Sequence, residues 1–382
     1  MKKIFIVTGT RADFGLLSEL IKKLKLKKFF DIKLLVCCMH MSKKFGNSIN
    51  EILNEKIKIN FFVNNLPKGE KDIDIINATA EGIIKFGKII NKEKPDAILL
   101  TGDRFEMLSA GIASMFLKIP IIHIHGGEIT KGSLDNYMRN LITKMSHYHL
   151  AATKNSKKRI IQMGENPNRV FYVGGLGAQN IKNEKLIEKT KLEKKLNLRF
   201  LDHNMLITIH PEINKDKKDS INKLNILLRS LQNFEKSLKV FTFSNCDAGG
   251  ETINNKLKQF VSKNKNCFYF KNLGKLNYLS LLKQVDCVIG NSSSGILEAP
   301  SLKTFTINLG NRQEGREKAL SVFDVEYKIS AINKAIKESK KKYLIKNKKV
   351  VNPYYKKDTI KNIIKILKKI NLNYFSKDFY DL

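Results

Sequence analysis

The sequence predicts an α/β protein built on two doubly wound parallel sheets, and three observations carry that expectation. Strand and helix signals alternate along 382 residues, a length that suits about two domains better than one core. The alternation is interrupted at residues 180–198 by a Lys/Glu/Leu mixture with few large apolar side chains, which reads as an exposed connecting helix or linker. Polar or Gly-rich clusters follow the apolar strand runs, where an open parallel sheet places its ligand-binding loops.

The start, MKKIFIVTGTRAD, has an apolar run of four residues before polar turn chemistry. That is too short for a signal peptide and reads as a first strand at 4–7. Leu16, Leu17, Leu20, Ile21 and Leu24 share one helical face and predict a helix over 14–24. A strand at 32–38, a helix near 47–53 and a helix marked by Ile76, Ala80, Ile83 and Ile90 follow, then strands at 97–100, 121–124 and 148–151. The second series has strands at 205–209, 240–243, 267–270, 287–289 and 305–308. Ile360, Ile363, Ile364, Leu367 and Ile370 fall at helical spacing in a last helix over 358–370. No internal repeat is detected. The longest apolar stretch, 107–124, is broken by Lys118 and Pro120, so no membrane span is expected.

Apolar residues make up 42% of the chain, enough for two cores. The net charge of +34 is the signature of a nucleic-acid binder only if it is concentrated, and here it is spread along the chain as Lys. Nine residues are Arg, and Arg11, Arg104, Arg312 and Arg316 stand in or beside Gly-containing turns, where a forked phosphate contact would be made. Five cysteines without CxxC spacing, in mostly apolar surroundings, read as reduced core thiols of a cytosolic protein.

The segment VDCVIGNSSSGILEAP, residues 285–300, is the most informative in the chain. A buried strand ends in a Ser/Gly turn that opens a helix, so amide N–H groups and the Ser292 and Ser293 hydroxyls are set to receive an anion. The same turn also reads as a plain strand-to-helix connection with serine caps. Four further clusters fall at strand ends: GTRAD (9–13), GDRFE (102–106), HIHGGE (123–128) and HPE (210–212). Singly, Asp103 reads as a helix cap and His123 and His125 as satisfied strand residues; together they predict one functional rim.

These motifs, with LDNYMRNLITKMSH (134–147) and NLGNRQEGR (308–316), resemble the hydrolysing nucleotide-sugar 2-epimerases of sialic-acid-type sugar synthesis, from residue 2 into the closing KDFYDL. The resemblance implies two Rossmann-like domains of the GT-B type facing a cleft: an N-terminal domain over 1–175, a nucleotide-binding domain over 176–357, and a helix over 358–382 crossing back to the first. It implies that UDP-N-acetylglucosamine is converted to UDP and N-acetylmannosamine, with UDP- or GDP-N,N'-diacetylbacillosamine, for legionaminic acid, as the alternative substrate. Removing an unactivated C2 proton becomes feasible if the C1–O bond breaks in the same phase. The 1,2-unsaturated sugar then takes water at C1 and a proton on the opposite face of C2, so several acid/base groups are needed.

By resemblance, Arg11 and Arg104 bind the diphosphate, and Asp103 and Asp135 are essential carboxylates. His210 stands beside the phosphates, Asn245 contacts the nucleotide, Ser292 and Ser293 hold phosphate, Glu298 holds the ribose hydroxyls, and Arg312 makes a further nucleotide contact. Many relatives read HIEGGE where this chain has His125. Either Glu128 takes over from that first glutamate, or His125 is itself the base. No cofactor or metal is implied, and relatives suggest a homo-oligomer in the cytoplasm without nucleic-acid or membrane partners. Three rivals stand beside this reading: a metal hydrolase using His123, His125, Asp103 and Glu128, a nucleic-acid binder, and a glycosyltransferase of the same architecture.

Overall fold

The computed structural model describes residues 1–42, 48–69, 71–212, 217–244, 249–340, 350–373 and 375–382, with backbone alone for 183, 217 and 218. Two compact units divide the chain, one of Met1–Glu128, Leu134–Asn180 and Tyr354–Leu382, the other of Ile129–Ser133 and Ile181–Pro353. The junction thus falls after Asn180 rather than at 175/176, and Ile129–Ser133 leaves the first unit for the second. Residues 354–357, expected in the nucleotide-binding domain, belong to the first unit.

The first unit runs β1 (Lys2–Thr8), α1 (Arg11–Lys25), β2 (Phe30–Cys37), α2 (Ile49–Asn54), β3 (Phe61–Val63), α3 (Asp72–Glu93), β4 (Ala97–Thr101), α4 (Phe105–Phe116), β5 (Ile121–Ile124), α5 (Asp135–Met145), β6 (Tyr148–Ala151), α6 (Lys154–Gln162) and β7 (Val170–Tyr172). Its seven strands pair in parallel in the order β3-β2-β1-β4-β5-β6-β7. The order reverses between β1 and β4, so the turns after these strands flank the switch point where doubly wound sheets bind ligands.

The helix α7 (Leu176–Asn183) leads to α8 (Lys189–Leu196), β8 (Asn204–Thr208), α9 (Lys217–Gln232), β9 (Leu238–Thr242), α10 (Gly250–Lys263), β10 (Cys267–Phe270), α11 (Gly274–Gln284), β11 (Cys287–Gly290), α12 (Ser294–Leu297), β12 (Phe305–Leu309), β13 (Val322–Val325) and α13 (Ile329–Ser339). The second sheet is parallel in the order β10-β9-β8-β11-β12-β13. Period-two alternation along β8 sends Met205 and Ile207 to a face packed with Leu224, Leu227 and Ile332, and Leu206 to the face packed with Leu192, Leu279 and Leu282. Burial on both faces explains why the strand reads as a continuous apolar run.

The last helix, α14 (Thr359–Lys369), belongs to the first unit. Ile360, Ile363 and Leu367 join the core formed by Ile4, Ile6, Leu17, Leu20 and Leu24, each buried side chain worth roughly 2 kcal/mol. Lys2 Nζ closes the helix end by donating to the Leu367 and Ile370 carbonyls at 2.9 and 2.6 Å. Cys37, Cys38, Cys267 and Cys287 are buried, and Cys246 lies outside the described residues. Among the described residues no helix is long and apolar enough to cross a membrane.

Candidate functional site

In the first unit, the turn from β1 to α1 is wired by its own side chains. Asp13 accepts from the Gly9 and Thr10 amides at 2.7 and 2.8 Å and closes a capping box with Thr10, which presents Arg11 as the first residue of α1. Gly9 has no room for a side chain, because an added Cβ would lie 2.5 Å from Glu106 Oε1. That carboxylate, fully buried, accepts from Arg104 Nε at 2.8 Å, so the turns after β1 and β4 are locked together. Burial pushes the Glu106 carboxyl up, against the pull of Arg104.

The turns after β4 and β5 converge on Arg139 of α5, which is 1% exposed. Its Nε and Nη2 both donate to Asp103 Oδ2, the former at 2.9 Å, and its Nη1 donates to the Glu128 carbonyl at 2.9 Å. Asp135 opens the same helix one turn earlier and shares that face. Glu128 Oε1 lies 2.8 Å from His125 Nδ1, and both residues are buried. The first unit therefore brings Asp103, His125 and Glu128 into one network, with Arg104 and Arg11 on the neighbouring turns.

His123 has a different role. Its Nε2 lies 2.7 Å from the Gly102 carbonyl and its Nδ1 3.2 Å from Thr143 Oγ1, so one ring nitrogen braces the turn after β4 and the other ties it to α5. Full burial pushes its pKa down to about 3, keeping the ring neutral. Among the described residues no three His, Cys, Asp or Glu side chains assemble as metal ligands. The HxH pair of the metal-hydrolase reading is thus one turn-bracing histidine and one histidine paired with a carboxylate.

In the second unit, Asn291 organises the turn after β11. Its Oδ1 accepts from the His210 amide at 2.7 Å, its Nδ2 donates to the His210 carbonyl at 2.8 Å, and its carbonyl accepts from Arg312 Nη1 at 3.2 Å and Gln313 Nε2 at 3.0 Å. His210 Nδ1 lies 3.2 Å from Ser244 Oγ. Gly290, with φ of +139°, brings its backbone against the Thr208 carbonyl, where an added Cβ would sit at 1.9 Å. Ser292 and Ser293 are partly exposed in the turn, and Ser294 receives Tyr278 OH at 2.6 Å and donates to Glu298 Oε2 at 2.5 Å. Burial raises the Glu298 carboxyl above its ordinary range. Ile129–Ser133 docks on the loop that carries Arg312: Lys131 N donates to the Glu314 carbonyl at 3.1 Å, and Gly132 passes so close that a Cβ would lie 2.8 Å from Arg312 Cα.

The helix after the Ser/Gly turn, α12, has only four residues and passes into a 3-10 turn at Ala299–Leu302. A single turn aligns few peptide dipoles, so the long-helix part of the anion argument falls away and the hydroxyls, backbone amides and Arg312 remain. Asn245 lies outside the described residues. Two organising side chains were not singled out from sequence. Arg139 had one available signal, its rarity among nine arginines; Asn291 had none beyond its place in the GNSSSG turn.

Comparison with known proteins gives a consistent picture. Residues 22–368 match the family model described as UDP-N-acetylglucosamine 2-epimerase. The polysialic acid biosynthesis protein P7 of Escherichia coli is 36% identical over 387 residues, covering 100% of this chain and 98% of the relative. The GDP/UDP-N,N'-diacetylbacillosamine 2-epimerase (hydrolyzing) of Campylobacter jejuni is 35% identical over 385 residues, covering 100% and 99%. The crystal structure of UDP-GlcNAc 2-epimerase from Neisseria meningitidis bound to UDP-GlcNAc superposes with a TM-score of 0.77 at 18% identity, covering 96% of this chain and 100% of that one, a likeness of fold.

Proposed function

The chain belongs to the UDP-N-acetylglucosamine 2-epimerase family, and from that premise we propose that it is a hydrolysing nucleotide-sugar 2-epimerase that converts UDP-N-acetylglucosamine to N-acetylmannosamine and UDP. The observation that carries this reading is the network of Asp103, His125 and Glu128 around buried Arg139 at the carboxyl ends of β4 and β5. Inversion at C2 needs proton traffic on two faces of one carbon, and such a cluster supplies it. Asp103, Asp135, His125 and Glu128 are assigned to that traffic. His210, Ser292, Ser293, Arg11 and Arg104 are assigned to the phosphates, Glu298 to the ribose, and Asn245 and Arg312 to the nucleotide. Fixed donors of this kind stabilise charge developing on the departing diphosphate.

A second substrate, UDP- or GDP-linked N,N'-diacetylbacillosamine, is favoured by the 35% identity to a relative of that name over 99% of its length. Both sugars lose nucleoside diphosphate by the same elimination and hydration, and both products feed nonulosonic acids of the sialic and legionaminic type. The reading places the enzyme in the cytoplasm, as a homo-oligomer whose partner is the nucleotide sugar. Side-by-side turnover of the candidate nucleotide sugars tests it: one substrate is expected to exceed the others in kcat/KM by at least about tenfold. Absence of nucleoside diphosphate release from all of them by folded protein would refute the assignment.

A further inference from the structure

The loop after β5 holds His125 in a backbone conformation with φ of +68°, which a non-glycine side chain adopts rarely and mostly at sites that need it. Its path is fixed on every side. A Cβ at Gly126 would lie 2.9 Å from His123 Nδ1 and from Thr143 Oγ1, and one at Gly127 would lie 2.3 Å from the Ser156 carbonyl. Arg159 Nη1 donates to the Gly127 carbonyl at 3.2 Å and Arg139 Nη1 to the Glu128 carbonyl at 2.9 Å. Fixed in this way, the loop aims the Glu128 carboxylate at His125 Nδ1, 2.8 Å away. The other ring nitrogen, Nε2, is buried and has no hydrogen-bond partner among the described residues.

A neutral imidazole carries one N–H, and a carboxylate can only accept. In the neutral form of the ring, pairing with the Glu128 carboxylate therefore selects the tautomer with its N–H on Nδ1 and its lone pair on Nε2. Resting on the epimerase reading above, we propose that His125 and Glu128 act as a unit in which Nε2 takes the C2 proton and Glu128 is a positioning residue that works through the imidazole. The C2–H electron pair forms the C1=C2 bond, the C1–O pair leaves with the nucleoside diphosphate, and the imidazolium that results stays paired with Glu128. This is the logic of a carboxylate behind a general-base histidine. The glutamate three residues on is then not a second, independent acid.

Two measurements test the pair. Nitrogen-15 NMR of the substrate-free protein, with the His125 signals assigned by their loss in His125→Asn, is expected to show Nδ1 protonated and Nε2 bare at neutral pH. Asn is chosen because it tolerates positive φ. An Nε2-protonated ring overturns the proposal. In kinetics, Glu128→Gln is expected to lower kcat by about a hundredfold or more with KM changed less than about threefold, and His125→Asn to lower C2 deuterium incorporation by about a thousandfold. A folded Glu128→Gln enzyme with kcat within threefold of wild type overturns the pair while leaving the epimerase reading intact. A wild-type enzyme inert toward every nucleotide sugar overturns that reading and the pair's role with it.

Discussion

Replacing Arg139 with Met tests the centre of the first unit's network most severely. Methionine keeps the unbranched stem and much of the volume but removes every donor. Two groups lose a partner: the Asp103 carboxylate, whose side chain is 18% exposed, and the Glu128 carbonyl. Breaking a buried ion pair by removing one member costs about 3–5 kcal/mol, and partial exposure of Asp103 lets water recover some of it, so the lower end applies. The hydrogen bond lost at the Glu128 carbonyl adds about 1 kcal/mol. A total of about 4 kcal/mol follows, against about 1–2 kcal/mol for Arg139→Lys, which keeps the charge and loses the fork. Asp103→Asn combined with Arg139→Met is expected to cost about 2 kcal/mol less than the sum of the singles, the signature of a direct pair. The chain has no Trp, so urea unfolding is followed by far-UV circular dichroism, in the transition that reports the first unit. Turnover is expected to fall at least about a hundredfold with the Lys variant, because Asp103 and the Glu128 loop lose a common anchor. An Arg139→Met protein within 1 kcal/mol of wild type and within threefold in kcat would refute the reasoning.

Two further outcomes follow from other parts of the fold. Burial opposes ionisation of Glu165, but His149, Lys144 and Lys377 outweigh it and hold the carboxyl down at about 2 against an ordinary 4.5. A depressed carboxyl stabilises the fold above its unfolded pKa, and the contribution is lost as pH falls from about 4.5 through 2. The linkage is worth at most about 3 kcal/mol, of which roughly half survives screening at the exposed Lys144 side. Urea melts at pH 6 and pH 3 are expected to show a loss smaller by about 1–2 kcal/mol in Glu165→Gln than in wild type, and equal losses would contradict the pairing. Gly290→Ala places a methyl group against the Thr208 carbonyl at a φ reserved for glycine, at a cost of about 4 kcal/mol or more in the second unit. Stability within 1 kcal/mol of wild type by the same melts would show that the turn after β11 is not so tightly placed.

The architecture was legible because buried parallel strands advertise themselves. The strands expected at 121–124 and 148–151 are the central strands β5 and β6 to the residue, and 267–270 is the edge strand β10, which its aromatic run made legible despite one open flank. The strands that sequence missed, β3, β7 and β13, all lie at sheet edges. An edge strand has one neighbour and an open flank, and Phe62 at 51% and Phe323 at 40% exposure break the buried pattern that marks a central strand. Motifs told where polar chemistry gathers, since the polar clusters fall at the ends of β1, β4, β5, β8 and β11. They did not tell which histidine does what. His123 and His125 stand two apart on one strand end, and only the partners brought by the fold, the Gly102 carbonyl for one and Glu128 for the other, separate a brace from a proton-handling group. Arg139 was hard to single out for a related reason: its rarity says nothing of its partners, and its burial comes from the turns that fold over α5. The transfer of Ile129–Ser133 to the second unit likewise rests on glycine-mediated backbone contact at Gly132 and Gly315, which leaves no apolar periodicity to read.

Incubation of the enzyme with UDP-N-acetylglucosamine, or with the preferred nucleotide sugar, in heavy water tests the central claim most directly. Elimination followed by hydration replaces the C2 proton with one from solvent. UDP release is expected to be matched one-for-one by free 2-epimeric sugar carrying a single deuterium at C2. UDP released with unepimerised sugar, or with the original proton retained at C2, would contradict it.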